Sequence, residues 1–324
     1  MSNSTFTLPA RLNTLQEQLT YIVLPVYIVL GIFGNGFCIA YFLQRSQRSS
    51  SCAFYLLLAA IVNMLAVVFG VTTNIVNLWK SIATTSLIYC KLRMYINHTL
   101  IFIGRSFTIL ASIDIYSMTS QKLTHRVFSQ HSYAIKYAIA VVICCPLIAV
   151  HIPIMNTIVA GQCVMTGVYS LIFAIYQMLI AGVIPPIAMV TFSCLAYFNM
   201  QKLNIRQDNL IKQQQQRQHL RMVITQIVVY IISAELVPIT TLYKQLTANV
   251  IGKSQDQKAI EAFIVFLASN FLLYLNTWAA FFIYYATSSA FRLAFIRIFK
   301  KRFRIDALPM AEILNNTLPT NRNA

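Results

Sequence analysis

Two charged side chains and seven cysteines are the residues of this sequence whose types and positions could support chemistry. Arg105 and Glu235 each lie in a long, mostly apolar run. An ionisable group in such a run is costly inside a membrane, and it usually marks a functional site or a paired structural bridge. The sequence contains no Cys-x-x-Cys, no His-Glu-x-x-His and no glycine-rich phosphate loop. We therefore expect no enzyme active site, no metal site and no cofactor.

The elements that must position these residues are membrane helices. Hydrophobic residues make up 58% of the 324 residues and charged residues only 10%. A soluble core of this size cannot bury so much apolar surface, so lipid must cover the remainder. The sequence predicts an all-α fold, an integral membrane seven-transmembrane helix bundle. The predicted spans are approximately 20–43, 53–78, 87–118, 132–155, 168–200, 220–243 and 259–287.

Shorter segments flank the predicted bundle at residues 20–287. Residues 1–19 are polar and are predicted to be an extracellular N-terminus, in which Asn3 begins a glycosylation sequon. Residues 288–303 have aromatic side chains on one side and basic side chains mostly on the other, a pattern typical of an amphipathic helix that lies flat on a membrane. Residues 304–324 are predicted to be a cytoplasmic tail.

The distribution of basic residues predicts the orientation. The chain carries 25 lysines and arginines against 8 acidic residues, for a net charge of +17. Most of the basic residues follow the first, third, fifth and seventh spans, so they indicate loops beside a lipid bilayer and no nucleic-acid partner. By the positive-inside rule, the N-terminus is extracellular and the C-terminus cytoplasmic. We expect a multi-pass protein of the plasma membrane.

The cysteines divide by their position relative to the spans. Four lie within predicted spans and Cys52 lies near a cytoplasmic end, whereas Cys90 and Cys163 are on the outer side. An oxidising exterior favours a disulfide between these two, which would join the third span to the loop at 156–167. The alternative is two unrelated thiols.

Several motifs occur in a characteristic order: Gly31-Ile32-Phe33-Gly34-Asn35, the expected pairing of Cys90 with Cys163, Asp114-Ile115-Tyr116 at the end of the third span, Pro185-Pro186, Pro238, and Tyr284 followed by Phe291-Arg292. Over residues 20–303 these features together resemble the rhodopsin-like G-protein-coupled receptors, and most closely a divergent invertebrate-type orphan receptor.

The resemblance implies a set of switch and packing residues, with departures. The implied switch residues are Asp114, Ile115, Tyr116, Pro238 and Tyr284, and the implied polar packing residues are Asn35, Asn63 and Asn276. Ile115 stands where the family has arginine, and Gln218 stands where many relatives have an acidic partner for it. The usual ionic lock therefore cannot form. Asn63 replaces an aspartate that helps to bind sodium, which disfavours a sodium site.

The resemblance also places the buried charges. Arg105 and Glu235 would lie at similar depth, so an ion pair between them is predicted; the alternative is a neutral Glu235 bonded to backbone. Asp114 is expected at the membrane edge beside Lys122 and Arg126, where it can stay charged without burial.

A ligand site is expected between the outer halves of the helices. The candidate residues are Tyr95, Asn97, His98, His151, Gln177, Tyr243, Glu261 and Tyr274. Asn97 takes the place of an amine-binding aspartate, so a peptide or an acidic or neutral small molecule suits the site better. The first functional hypothesis is a receptor that transmits an extracellular ligand signal to a heterotrimeric G protein. The alternatives are a receptor-like decoy that does not signal and a seven-span transporter or channel.

Overall fold

Seven helices long and apolar enough to cross a membrane form an all-α bundle in the computed structural model, which describes residues 7–80, 86–202, 210–298 and 300. The first three spans are continuous helices: Leu8–Phe42, Ser51–Lys80 and Leu87–Thr119. The first helix thus begins well before the predicted start near residue 20. Asn3 and the tail at 304–324 lie outside the described residues.

The four later spans are interrupted. The fourth consists of His131–Ala149 and His151–Met155. The fifth consists of Val168–Gln177, a π-helical turn at Met178–Val183, and Ile184–Lys202. The sixth consists of Leu210–Ala234 and Leu236–Leu246, and the seventh of Gln255–Leu267, a π-helical turn at Ala268–Leu272, and Leu273–Thr287.

Proline explains the breaks in the fifth and sixth spans. Pro185 and Pro186 have no N–H to donate to the carbonyl of Ala181, whether the turn is α or π. The hydroxyl of Tyr230 donates to this carbonyl instead, at 2.5 Å. In the sixth span Pro238 likewise leaves the carbonyl of Ala234 without its helical donor, and the helix is broken at Glu235.

The third span is the central helix of the bundle, because it contacts the second, fourth, fifth and sixth spans. The large core cluster contains Phe107 and Ile115 of this span together with Tyr230 and Tyr284. The outer surface is apolar as well, and Ile232 of the sixth span is 70% exposed. Water does not tolerate an apolar exterior of this extent, so the chain is a multi-pass membrane protein whose outer faces contact lipid.

A disulfide joins Cys90 to Cys163, the pairing predicted from the sequence. The predicted loop at 156–167, which contains Cys163, forms a hairpin of two antiparallel strands, β1 (Asn156–Val159) and β2 (Gln162–Met165). Ala160 and Gly161 both have positive φ, as a two-residue hairpin turn requires. We call this side of the bundle the disulfide end, and the other side the Asp114 end.

A further helix follows the seventh span at the Asp114 end, within the predicted range 288–303. Residues 289–298 are helical, whereas Ser288 is not, and residues 299 and 301–303 lie outside the described residues. Phe291 is fully buried and packs edge-on against Phe37, Tyr41 and Tyr284. The apolar side of this helix is therefore anchored in the bundle.

Candidate functional site

A cavity of about 300 Å³ lies between the third, fifth, sixth and seventh spans towards the disulfide end. Its polar lining residues are Asn74, Arg93, Asn97, His98, Arg105, Gln177, Thr241, Ser269, Asn270 and Tyr274. Apolar side chains such as Phe102, Ile180 and Val237 complete the wall. The volume and the mixed lining are those of a small-molecule site.

Four of the predicted ligand residues line this cavity: Asn97, His98, Gln177 and Tyr274. Tyr95 does not, since its hydroxyl donates to the carbonyl of Pro146 in the fourth span, at 3.2 Å. Two residues along an α-helix correspond to a rotation of about 200°, so Tyr95 and Asn97 cannot face the same way. Tyr95, predicted to be a ligand residue, therefore lies outside the lining of this cavity.

Tyr243 and Glu261 also lie elsewhere. They line a separate cavity of about 780 Å³ between the sixth and seventh spans. There the hydroxyl of Tyr243 donates to Oε1 of Glu261 at 3.0 Å, and Lys253 forms an ion pair with Oε2 at 2.6 Å. Both residues lie at the disulfide end, as the sequence predicts, but the rotation of the sixth span directs Tyr243 away from the central cavity.

On one side of the cavity, the second span packs closely against the third and seventh spans. The hydroxyl of Tyr274 donates to Oδ1 of Asn97 at 2.9 Å. Gly70 lies directly against this pair, so that a Cβ there would overlap both oxygens. Only glycine allows the three spans to approach this closely. Asn74 and Asn270, which the sequence analysis missed, lie beside them; polar residues within apolar spans are the signal that could have found them.

Histidine and tyrosine form the wall near the fourth and fifth spans. Nε2 of His98 lies 3.1 Å from the hydroxyl of Tyr176, and His151 is hydrogen-bonded through Nδ1 to Tyr169. The rings of His151 and Tyr176 are in edge contact. His151 therefore supports His98 through Tyr176 and is not among the residues that line the cavity.

Arg105 and Glu235 do not form the predicted ion pair. Among the described residues the only ion pair is that of Lys253 with Glu261. The guanidinium of Arg105 instead lies over the ring of Tyr230, 5.1 Å from its centroid. Tyr230 takes this position because its hydroxyl is held by the carbonyl of Ala181.

The structure does not show the alternative prediction either, in which Glu235 is hydrogen-bonded to the backbone. Its Oε1 is buried with no hydrogen-bond partner among the described residues. The other carboxylate oxygen lies against Gly182 of the fifth span, where a Cβ would be 3.2 Å away. Glu235 thus lies at the break in the sixth span, packed on the π-helical turn of the fifth.

The predicted packing residues Asn35, Asn63 and Asn276 lie below the cavity. Nδ2 of Asn35 donates to the carbonyls of Gly31 and Thr277, both at 2.9 Å, and so joins the first and seventh spans. Asn63 and Asn276 line a small polar cavity of about 10 Å³, together with Arg105. This volume is enough for about one water molecule.

Asp114 is buried, contrary to the prediction that it lies exposed beside Lys122 and Arg126. It is 3% exposed, and its Oδ1 accepts a hydrogen bond from Oγ of Ser129 at 2.9 Å. Within the described ranges Oδ2 is buried and forms no hydrogen bond of normal geometry. The reason is that the short helix Leu123–Val127 turns the chain back on itself and brings Ser129 to Asp114. Arg126 instead donates to the carbonyl of Ser120.

The two residues after Asp114 differ in their surroundings. Ile115 is 2% exposed and belongs to the apolar core. The hydroxyl of Tyr116 lies 3.3 Å from Nδ1 of His125. The Asp114 end of the third span is therefore covered by apolar contacts and by the segment that follows it.

A cluster of neutral polar side chains, which we call the polar clasp, holds the sixth span at the Asp114 end. It comprises Tyr41, Gln47, Gln215 and His219. Oε1 of Gln47 accepts a hydrogen bond from Nε2 of Gln215 at 2.9 Å and lies 3.2 Å from Nε2 of His219. Nε2 of Gln47 donates to the hydroxyl of Tyr41 at 3.2 Å. The clasp connects the sixth span to the turn between the first two.

The seventh span is connected to the sixth by Tyr284. Its hydroxyl donates to Oε1 of Gln226 at 2.6 Å, and both residues are buried. Gln218 extends this connection through long hydrogen bonds to Ser288 and Ser289. Sequence reasoning had identified Tyr284 and Gln218 but had not found Gln47, His219 or Gln226.

The fold and the site together define a class: a seven-span membrane protein with a polar cavity at one end of the bundle and hydrogen-bonded spans at the other. No protein-family model matches the chain, and no curated protein sequence gives a significant match.

Proposed function

We propose that this protein is a receptor of the plasma membrane that binds a ligand at the disulfide end and signals to a heterotrimeric G protein at the Asp114 end. One observation carries the proposal. The sixth span lines the cavity through Val237 and Thr241, is broken at Glu235, and is held at its other end by the polar clasp. One element thus extends from the cavity to the opposite end.

Coupling would proceed through a change at this break. We call Leu236–Leu246 the upper helix of the sixth span and Leu210–Ala234 its lower helix. A ligand that contacts Val237 or Thr241 more favourably in one position of the upper helix shifts the equilibrium towards that position. Pro238 provides the flexible point, and motion of the lower helix separates His219 and Gln226 from their partners. In the family that the sequence resembles, helix rearrangement of this kind exposes the G-protein surface.

The orientation belongs to the same proposal. The basic residues favour the disulfide end as extracellular, where a disulfide persists, and the Asp114 end as cytoplasmic. The cavity is then open to ligands from outside. The small cavity at Asn276 has room for about one water, which disfavours an open channel through the bundle.

A second candidate function is that of a receptor-like binder without signalling. The observation that favours it is Ile115, which is buried in the apolar core where the resembling family has arginine. A G protein then has no arginine to contact at this position. Both candidates share the cavity and differ only at the Asp114 end.

Nucleotide exchange separates the two candidates. The protein in nanodiscs is combined with a panel of purified G proteins, and basal exchange is measured for the natural chain, for Ile115→Arg and for the control Ile115→Leu. A buried arginine is costly, so Ile115→Arg should open the Asp114 end and raise exchange. Ile115→Leu keeps the apolar contact and should match the natural chain. Silence of all three proteins with every G protein, with normal folding and surface delivery, would favour the second candidate.

A further inference from the structure

The central cavity has an unusual charge balance. Two arginines, Arg93 and Arg105, line it, and among its lining residues there is no aspartate or glutamate. Both lie on the third span, about 18 Å apart along the helix axis. Cations inside a membrane bundle are expensive unless a partner or function compensates them. The cavity is therefore suited to an anion.

The two arginines differ in how far their charge is already compensated. Arg105 lies over the ring of Tyr230, and this cation–π contact offsets part of the cost of its charge. Arg93 forms no ion pair within the described part of the chain, and its Nη1 is buried without a hydrogen-bond partner. Glu17 lines the neighbouring cavity of about 430 Å³ but forms no ion pair with Arg93. The uncompensated cation is thus Arg93.

The surroundings of Arg93 can complete an acid-binding site. Asn74 and Asn270 line the same two cavities as Arg93, so their amide groups lie at the junction between them. A guanidinium with neighbouring amides can bind both oxygens of a carboxylate. Deeper in the cavity, Phe102, Ile180 and Val237 offer apolar contact.

We propose that the cavity binds a ligand with a single carboxylate, which pairs with Arg93, while an apolar portion of the ligand lies against Phe102, Ile180 and Val237. This deepens the proposed function by naming the ligand class, and it rests on the cavity being the ligand site. The carboxylate belongs either to a small organic acid or to the C-terminus of a peptide.

Matched pairs of probes test this inference on the full-length protein in nanodiscs. The small-molecule pair is phenylpropionate and phenylpropanamide; the peptide pair is a glycine-rich tetrapeptide ending in phenylalanine, as free acid and as amide. Affinities are measured by ligand-observed NMR. A charge-assisted contact should make the acid of at least one pair bind about tenfold more tightly than its amide. The pair that shows the preference identifies the source of the carboxylate.

Variants then locate the contact. Arg93→Gln should abolish the preference for the acid, and Arg93→Lys should retain part of it and report on folding. Arg11→Gln, at an exposed arginine of the first span, and Glu17→Gln are the controls and should leave the preference in place. Arg105→Gln tests the other cation of the cavity. Equal affinity for acid and amide in both pairs, binding of none of the four probes, or loss of the preference in Arg105→Gln but not in Arg93→Gln would overturn the inference.

These results are independent of the signalling experiment. Arg93-dependent acid binding without nucleotide exchange would leave the present inference intact and contradict G-protein coupling. Exchange stimulated by a neutral ligand and unchanged by Arg93→Gln would do the reverse.

Discussion

Some polar side chains inside this bundle have partners on neighbouring spans, and in one case a glycine makes room for the pair. Asn97 and Tyr274 join the third and seventh spans beside Gly70 of the second. Between membrane helices, such contacts replace the water-driven burial that holds soluble helices together. A residue as small as glycine can therefore decide how closely three spans approach.

Gly70→Ala tests this contact at the scale of one methyl group. The new Cβ would overlap the hydroxyl of Tyr274 and Oδ1 of Asn97, so the hydrogen bond must break or the spans must separate. Overpacking of this kind costs about 1–3 kcal/mol, and the apparent unfolding temperature in detergent should fall.

Gly36→Ala is the matched control for this change. A Cβ at Gly36 meets nothing within 4 Å, and alanine is the better helix former. The unfolding temperature should stay the same or rise. A Gly70→Ala protein as stable as Gly36→Ala would contradict the packing described for the cavity wall.

The sixth span is the element that connects the two ends of the bundle. Its Leu236–Leu246 helix lines the cavity, and its Leu210–Ala234 helix is held by hydrogen bonds between uncharged side chains. Removing one partner of a neutral hydrogen bond costs less free energy than removing one partner of a buried ion pair. A small change in free energy at the break can therefore move the lower helix.

Gln47→Ala should loosen this helix. The variant removes the acceptor of Gln215 and the partner of His219, each worth about 0.5–1.5 kcal/mol. Opening of the lower helix should become several-fold more frequent. Hydrogen–deuterium exchange of residues 213–222 measures it directly.

Gln44→Ala, a half-buried glutamine on the same turn, is the control for Gln47→Ala. Exchange in residues 213–222 should not change in this variant. Equal protection in Gln47→Ala and in the natural chain would show that the polar clasp does not restrain the sixth span.

At the scale of the whole molecule, the disulfide ties the central helix to the hairpin that follows the fourth span. Cys90 and Cys163 are 73 residues apart, so the bridge closes a loop that contains the third and fourth spans. Closing a loop of this length restricts the unfolded chain. The bridge also holds the hairpin against the third span.

Cys163→Ser should lower the apparent unfolding temperature and reduce delivery to the cell surface, because a bridge of this kind is worth about 2–4 kcal/mol. Cys194→Ser, which replaces an exposed free thiol, is the control and should change neither quantity. Thiol labelling of surface protein adds a direct check: reaction at Cys90 in the natural chain would contradict the bridge.

The sequence by itself determined the number of spans and the pairing of Cys90 with Cys163. Apolar length is a local sum over neighbouring residues, and few cysteines lay outside the apolar runs. Only the tertiary structure decided where the polar side chains point: Tyr95 towards the fourth span, Arg105 over Tyr230, and Asp114 into the interior beside Ser129. The physical reason is that hydropathy does not specify the rotation of a helix about its axis, which is set by packing between spans far apart in sequence.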